Sequence, residues 1–246
     1  MRHGIAKVEV YKPSANNVNV QRYLNIGAGS STFQGLAACE LNQCLYVSEQ
    51  NAQAIHKVSP VTNNTMKRWS VNGQPYGLSV NSTHNLLVAC YNTHKVKEYT
   101  TDGTMVRDIN LQPGITSPAH VVQLPSGNFG VTHHGPVYGY SEVDGDGKII
   151  KRVPATHAPA QMRKPFGFAV SKNGSRVFVA DNGNNRILLL LNSESSLSVQ
   201  QLPDPLNAVL NAPYTIHFDV STGTMYVGER GGCRIMCYQK STETQL

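Results

Sequence analysis

His133 and His134 are the side chains of this sequence best suited by type to chemistry, because a neutral imidazole accepts a proton or binds a metal ion near neutral pH. Adjacent residues on an extended chain point to opposite sides, so the pair cannot grip one ion together. One ring is expected to face a loop surface beside His120. A zinc centre would need a third and a fourth ligand from elsewhere. No metal and no cofactor are therefore expected. The sequence has no Gly-x-Ser-x-Gly and no glycine-rich phosphate loop opening a helix, so no catalytic residue can be assigned from a motif. What remains is aromatic, amide and basic: Gln34, Tyr76, Tyr91, Lys164, Phe166, Tyr214 and Arg230. Such groups stack on and hydrogen-bond to a partner.

These residues recur at fixed places in a repeated phrase. Each copy has a small or aromatic residue with glycine, a short apolar run, a turn, a second apolar run, a polar loop and a third apolar run. The copies begin at Gly35, Tyr76, Ala119, Phe166 and Tyr214. The spacing of about 42 to 48 residues is that of one propeller blade per copy. Within a copy the runs are rich in Val, Ile, Leu and Tyr and are broken by pairs such as Asp146-Gly147, which is strand and hairpin chemistry. Only Leu206 to Leu210 has a short helical stripe. An all-β propeller of four-stranded blades is expected, as one domain over residues 1–246. Strand bookkeeping leaves an outer pair without inner strands near the N-terminus and a last copy that stops after its third strand. A shortened six-bladed ring is favoured, with five-bladed closure as the alternative.

The phrase resembles the NHL repeat. Pro165-Phe166-Gly167-Phe168-Ala169-Val170, Phe178-Val179-Ala180-Asp181 and Asn185-Arg186-Ile187 carry the likeness most fully, and copies one and three depart from it, with Ser48-Glu49 and Thr132-His133 in place of Ala-Asp. The resemblance implies that the segment before each first strand and the loop after each second strand share one face of the disc. Function on such scaffolds is carried by loops. The basic residues opening the third strands, Lys57, Lys95, Arg186 and Arg234, are expected to serve the scaffold.

A net charge of +6 over 246 residues, without a block of like charge, permits an acidic partner without demanding one. The longest aliphatic run, Ile187 to Leu191, is too short to cross a bilayer, and no membrane partner is expected. The five cysteines are scattered and odd in number, which suits core thiols in a reducing, cytoplasmic setting, with Cys39, Cys90 and Cys237 buried. The leading expectation is a non-enzymatic module whose upper face binds a protein partner. The alternative, implied by the resemblance to the NHL domains of TRIM-type proteins, is a single-stranded RNA-binding domain. A second alternative is a propeller enzyme of lyase or lactonase type with an unrecognised site.

Overall fold

The computed structural model describes residues 6–13, 18–27, 32–59, 66–153, 161–202, 210–219 and 221–239. Leu206 to Val209, in the short stretch with helical periodicity, lie outside them; the one helical segment described is a single 3-10 turn at Asn182–Asn184. The described strands form six antiparallel sheets. The first is a pair, β1 (Ala6–Pro13) and β2 (Val18–Gly27), that joins none of the other described sheets. Blade 1 is β3 (Phe33–Cys39), β4 (Cys44–Glu49), β5 (Ala54–Val58) and β6 (Met66–Ser70). Blade 2 is β7 (Pro75–Val80), β8 (Leu86–Cys90), β9 (Lys95–Tyr99) and β10 (Met105–Asn110). Blade 3 is β11 (Thr116–Gln123), β12 (Phe129–His134), β13 (Gly139–Val143) and β14 (Ile149–Arg152). Blade 4 is β15 (Pro165–Val170), β16 (Arg176–Asp181), β17 (Arg186–Asn192) and β18 (Leu197–Gln201). Blade 5 has three described strands, β19 (Pro213–Asp219), β20 (Thr224–Glu229) and β21 (Arg234–Gln239). The fold is thus the expected all-β propeller: among the described residues five sheets supply an innermost strand and the leading pair has none beside it, as the strand count anticipated, which agrees with the five-bladed alternative.

Polar side chains that bond their own backbone set the hairpin turns. Asp144 Oδ1 accepts from the Asp146 and Lys148 amides. Gly147 lies at φ +83°, and a Cβ there would sit 2.1 Å from the Asn110 carbonyl oxygen. A second set of glycines has a different reason. A Cβ on Gly35 would meet Tyr76 O at 2.3 Å, one on Gly77 would meet Ala119 O at 2.5 Å, and one on Gly167 would meet Tyr214 O at 2.9 Å. The glycine of the repeated phrase thus lets one innermost strand press against the next. By these contacts β3 lies beside β7, β7 beside β11 and β15 beside β19, and β11 packs beside β15 in turn.

Each of four apolar clusters is one junction between successive blades. Tyr46 and Ile55 of blade 1 pack on Leu78 and Val88 of blade 2, and Val96 and Ile109 of blade 2 on Val121 and Val131 of blade 3. Tyr140 and Val153 meet Phe168 and Val179. Ile187 and Leu189 meet Ile216 and Val227. Alternation along the strands produces this: one face of each sheet meets the preceding blade and the other the following blade.

The interval between blade 5 and blade 1 differs. Leu78, Val121, Phe168 and Ile216, which face their preceding blades, are 3%, 0%, 1% and 6% exposed, whereas Leu36, in the same place on β3, is 57% exposed. Ile55, Val96, Tyr140 and Ile187, which face their following blades, are at most 1% exposed, whereas Ile235 on β21 is 63% exposed. Leu36 and Ile235 therefore mark a junction that is open at these two positions. The same cause corrects one expectation about the thiols: Cys39 and Cys90 are buried, but Cys237, two residues from Ile235 on the same face of β21, is exposed.

The bases that open the third strands do bond within the scaffold. Arg186 Nε donates to Asp181 at 2.8 Å and Arg234 Nε to Glu229 at 2.5 Å. Lys95 donates to Asp108 at 3.3 Å, and Lys57 to the Thr101 carbonyl at 2.9 Å.

Candidate functional site

The starts of the innermost strands and the ends of the second strands bring seven of the ten residues singled out from sequence to one end of the axis. Tyr76 stacks on Tyr91 (centroids 4.6 Å apart) and lies parallel to Phe166 at 6.4 Å. Phe166 stacks in turn on Tyr214 at 4.3 Å. Blades 2, 4 and 5 thus contribute one continuous stack across the ring. The His134 ring presents an edge to Phe166 at 4.7 Å and to Tyr91 at 5.7 Å, and its Nε2 donates to the Pro165 carbonyl at 2.8 Å. Burial holds His134 below the ordinary histidine pKa, so it is a neutral member of the stack. Blade 1 joins through hydrogen bonds: the Tyr214 hydroxyl donates to Gln34 Oε1, and Gln34 Nε2 donates to Gln50 Oε1 at 2.9 Å. The Arg230 guanidinium lies 6.0 Å from the centre of the Tyr214 ring.

The other three residues have different places. Lys164 is exposed on the rim at φ +51°. His133 is buried inside blade 3, with Nε2 3.1 Å from Ser141 Oγ. Burial, helped by Arg152 close by, pushes its pKa down to about 4. His120 lies beneath the stack and bridges three blades: Nε2 donates to the Leu78 carbonyl at 3.2 Å, and the Phe168 amide donates to Nδ1 at 3.4 Å. Desolvation lowers it to about 4 as well.

Below the stack is a cavity of about 380 Å³, lined from all five innermost strands. Its wall is largely apolar: Leu36, Ala38, Leu45, Leu78, Ala119 and the undersides of Tyr76, Phe166 and Tyr214. Its polar groups are Gln34, His120, Thr215 and His217, and among the described residues no carboxylate lines it. The acids at the upper ends of the second strands are engaged elsewhere. Glu49 pairs with His56 at 2.8 Å and Arg68 at 3.5 Å, Asp181 with Arg186, and Glu229 with Arg234.

His217 is the residue the sequence reading missed. It lies on β19, lines the cavity, is exposed, and among the described residues accepts and donates no hydrogen bond. A signal existed: where copies one to four have Ala37, Ser79, Val122 and Ala169, copy five alone has an imidazole. Among the described residues no three or more His, Cys, Asp or Glu side chains gather as a metal site, and His120, the other cavity imidazole, has both nitrogens engaged.

No protein-family model and no curated protein sequence matches the chain. Solved structures match its fold. It is similar to a virginiamycin B lyase from Staphylococcus aureus, at 14% identity over 98% of this chain and 80% of that one, with a TM-score of 0.68. It is also similar to a gluconolactonase from Xanthomonas campestris, at 13% identity over 87% and 77% of the two chains and a TM-score of 0.66. A luciferin-regenerating enzyme matches at 18% identity over 84% and 72%, again with a TM-score of 0.66. At such identities the likeness establishes a β-propeller. Among the described residues no helix is long and apolar enough to cross a membrane. The expectation of a non-enzymatic protein-binding module is corrected by these neighbours, which are named as lyases, lactonases and related enzymes. The geometry agrees with the correction, because the upper-face aromatics offered as a docking platform are largely spent on one another.

Proposed function

We propose that this chain is an enzyme of the lyase type whose site is the axial cavity, with His217 as the proton-transferring group. One observation carries the reading: the cavity, shared by all five innermost strands, presents a single imidazole free of any hydrogen bond among the described residues. Such a group can take a proton from a carbon next to a carbonyl while the electron pair forms a double bond and expels a carboxylate. The imidazolium then returns the proton to water. A lactonase-type reading needs oxygen donors converging on a hard cation. The carboxylates nearest the cavity are paired elsewhere, so lyase chemistry is the better fit. The NHL-like wording of the repeats concerns the scaffold and is neutral between enzyme and RNA-binding uses.

The test is incubation with a small uncharged cyclic ester whose ring oxygen is carried on the carbon β to a second carbonyl, which can eliminate, and with gluconolactone, which can only be hydrolysed, followed by mass spectrometry. Elimination opens a cyclic ester without changing its mass, whereas hydrolysis adds one water. Ring opening at unchanged mass, lost in His217→Ala and retained in Arg230→Ala, is the expected result. Hydrolysis, or full activity in His217→Ala, would overturn the assignment.

A further inference from the structure

We infer that the ligand of this cavity is an uncharged, mainly apolar molecule that reaches it sideways, through the open junction between blades 5 and 1, and not through the aromatic stack at the upper end. The inference rests on the cavity being the functional site, as proposed above, but not on the reaction carried out there.

The route follows from where exposure lies on the wall. On the side of blades 2 to 4, Leu78, Ala119 and Gly167 are buried. On the side of blades 5 and 1, Leu36, Ala38, Thr215 and His217 line the same cavity and are exposed. Thr215 and His217 share a strand face, as do Leu36 and Ala38, because residues two apart on a strand point the same way. The cavity therefore runs from the axis into the unclosed junction. On blade 1, Val47, His56 and Val58, beside Leu36 and Ala38 on the same face, are buried, and exposure returns at Arg68 on β6. On blade 1 the opening is a slot beside the axis, and on blade 5 it continues outward over Ile235 and Cys237 of β21.

The upper end of the axis is obstructed. The rings of Tyr76, Phe166 and Tyr214 lie across the upper end, and the hydrogen bonds from Tyr214 to Gln34 and from Gln34 to Gln50 extend the barrier to blade 1. Opening it would separate stacked aromatic rings and leave polar groups without partners.

The ligand class follows from the lining. Nearly all of it is aliphatic or aromatic carbon, and among the described residues no Lys, Arg, Asp or Glu reaches it. A charged molecule would lose its hydration with no counter-charge to replace it. A volume of about 380 Å³ is within the range of small-ligand sites. Gln34, Thr215 and His217 are the groups left to orient such a molecule.

The experiment uses the uncharged fluorophore Prodan, with the anionic anilinonaphthalene sulfonate as comparison. Leu36→Trp and Thr215→Trp each place a large ring in the slot at an exposed position, where the fold has room for it, and circular dichroism and thermal melts check folding. Both variants should weaken Prodan binding by about tenfold or more, while Arg230→Ala on the upper rim should change it less than about twofold. Unchanged Prodan binding in both Trp variants, or loss in Arg230→Ala, would overturn the lateral route. Tighter binding of the sulfonate than of Prodan would overturn the ligand class. Sedimentation is run alongside: a dimer that dissociates in Leu36→Asp and excludes Prodan would make the slot an interface between copies and also sink the proposal. None of these outcomes depends on turnover, so the binding inference and the lyase reading fail separately.

Discussion

The junction between blades 4 and 5 and the interval between blades 5 and 1 are made of the same residue types and have opposite fates. Ile187 on one side and Ile216 on the other are buried against each other's sheets, while Ile235 and Leu36, their counterparts one step on, are exposed. The chemistry of the side chains does not separate the two places. What separates them is coverage: Leu36 and Ile235 are left exposed, although Val47, His56 and Val58 on Leu36's own face are buried. The closed junctions act as scaffold, and the open one connects a cavity to solvent.

The largest contrast should appear in thiol reactivity. Cys90 lies in the apolar cluster between blades 1 and 2, and burial pushes its pKa up to about 12, whereas Cys237 is exposed on the open face of β21. A buried thiol reacts through opening of the fold, so with ordinary domain stability Cys90 should label on the order of a thousandfold more slowly than Cys237. Peptide mapping after a timed pulse of a maleimide reads both sites at once. Equal rates would mean that the junction between blades 1 and 2 is as open as the one beside β21.

Truncation on the two sides comes next. Phe168 is buried between blades 3 and 4, edge-on to His120 and Tyr140. Phe168→Ala should cost about 3 to 5 kcal/mol. Leu36→Ala, at the matching position of blade 1, should stay within about 0.5 kcal/mol. Urea midpoints measure both, and a large loss in Leu36→Ala would show that the junction is sealed in solution.

The difference between these residues explains what the sequence could and could not disclose. The repeated phrase located the blades, because hairpin turns and strand alternation are written locally. The glycine of the phrase was also legible as a recurrent feature, although its reason, the carbonyl of the next innermost strand, is a contact between copies. Gln34, Tyr76, Phe166 and Tyr214 could be assigned to a shared end of the disc from their equivalent places in the repeat. Leu36 and Leu78, by contrast, read alike in sequence, and nothing in either strand records whether a neighbouring sheet covers it. Cys237 was expected inside for the same reason. His217 was passed over because it falls in an apolar run, where the repeat pattern and not the residue itself carried the signal.

Acid should weaken the closed side. His120 is bonded into blades 2, 3 and 4 as the neutral ring, with its pKa lowered from 6.5 to about 4. Between those values the unfolded chain binds the proton and the folded one does not, so stability rises with pH there. The contribution is complete above about pH 6.5 and is lost as the pH falls toward 4, in total roughly 3 kcal/mol. His133, lowered to about 4 by burial, adds a loss of the same sign over the same range. Urea titrations at stepped pH should show this slope, and His120→Gln should reduce it. An unchanged slope in that variant would mean that the ring is solvated and not held by its two hydrogen bonds.

The smallest effect belongs to the upper rim. Arg230 is exposed and lies 6.0 Å from the Tyr214 ring centre, with no acid paired to it among the described residues; Glu229 beside it turns instead to Arg234 and the Asn211 amide. A cation over an exposed ring is worth about 0.5 to 1 kcal/mol, so Arg230→Ala should lower stability by no more than that. Its consequence for binding separates the rim from the slot. If the rim were a nucleic-acid surface, Arg230 and Lys164 would each release counterions on contacting phosphate, and replacing both would flatten the salt dependence of single-stranded RNA binding. With the aromatic rings stacked on one another and not free to receive bases, the folded protein should bind labelled single strands only at low salt and without sequence preference. Binding that persists at near-physiological salt and falls in Tyr76→Ala would show that the stack opens to take a base, and the upper end would then rank above the slot as the working face.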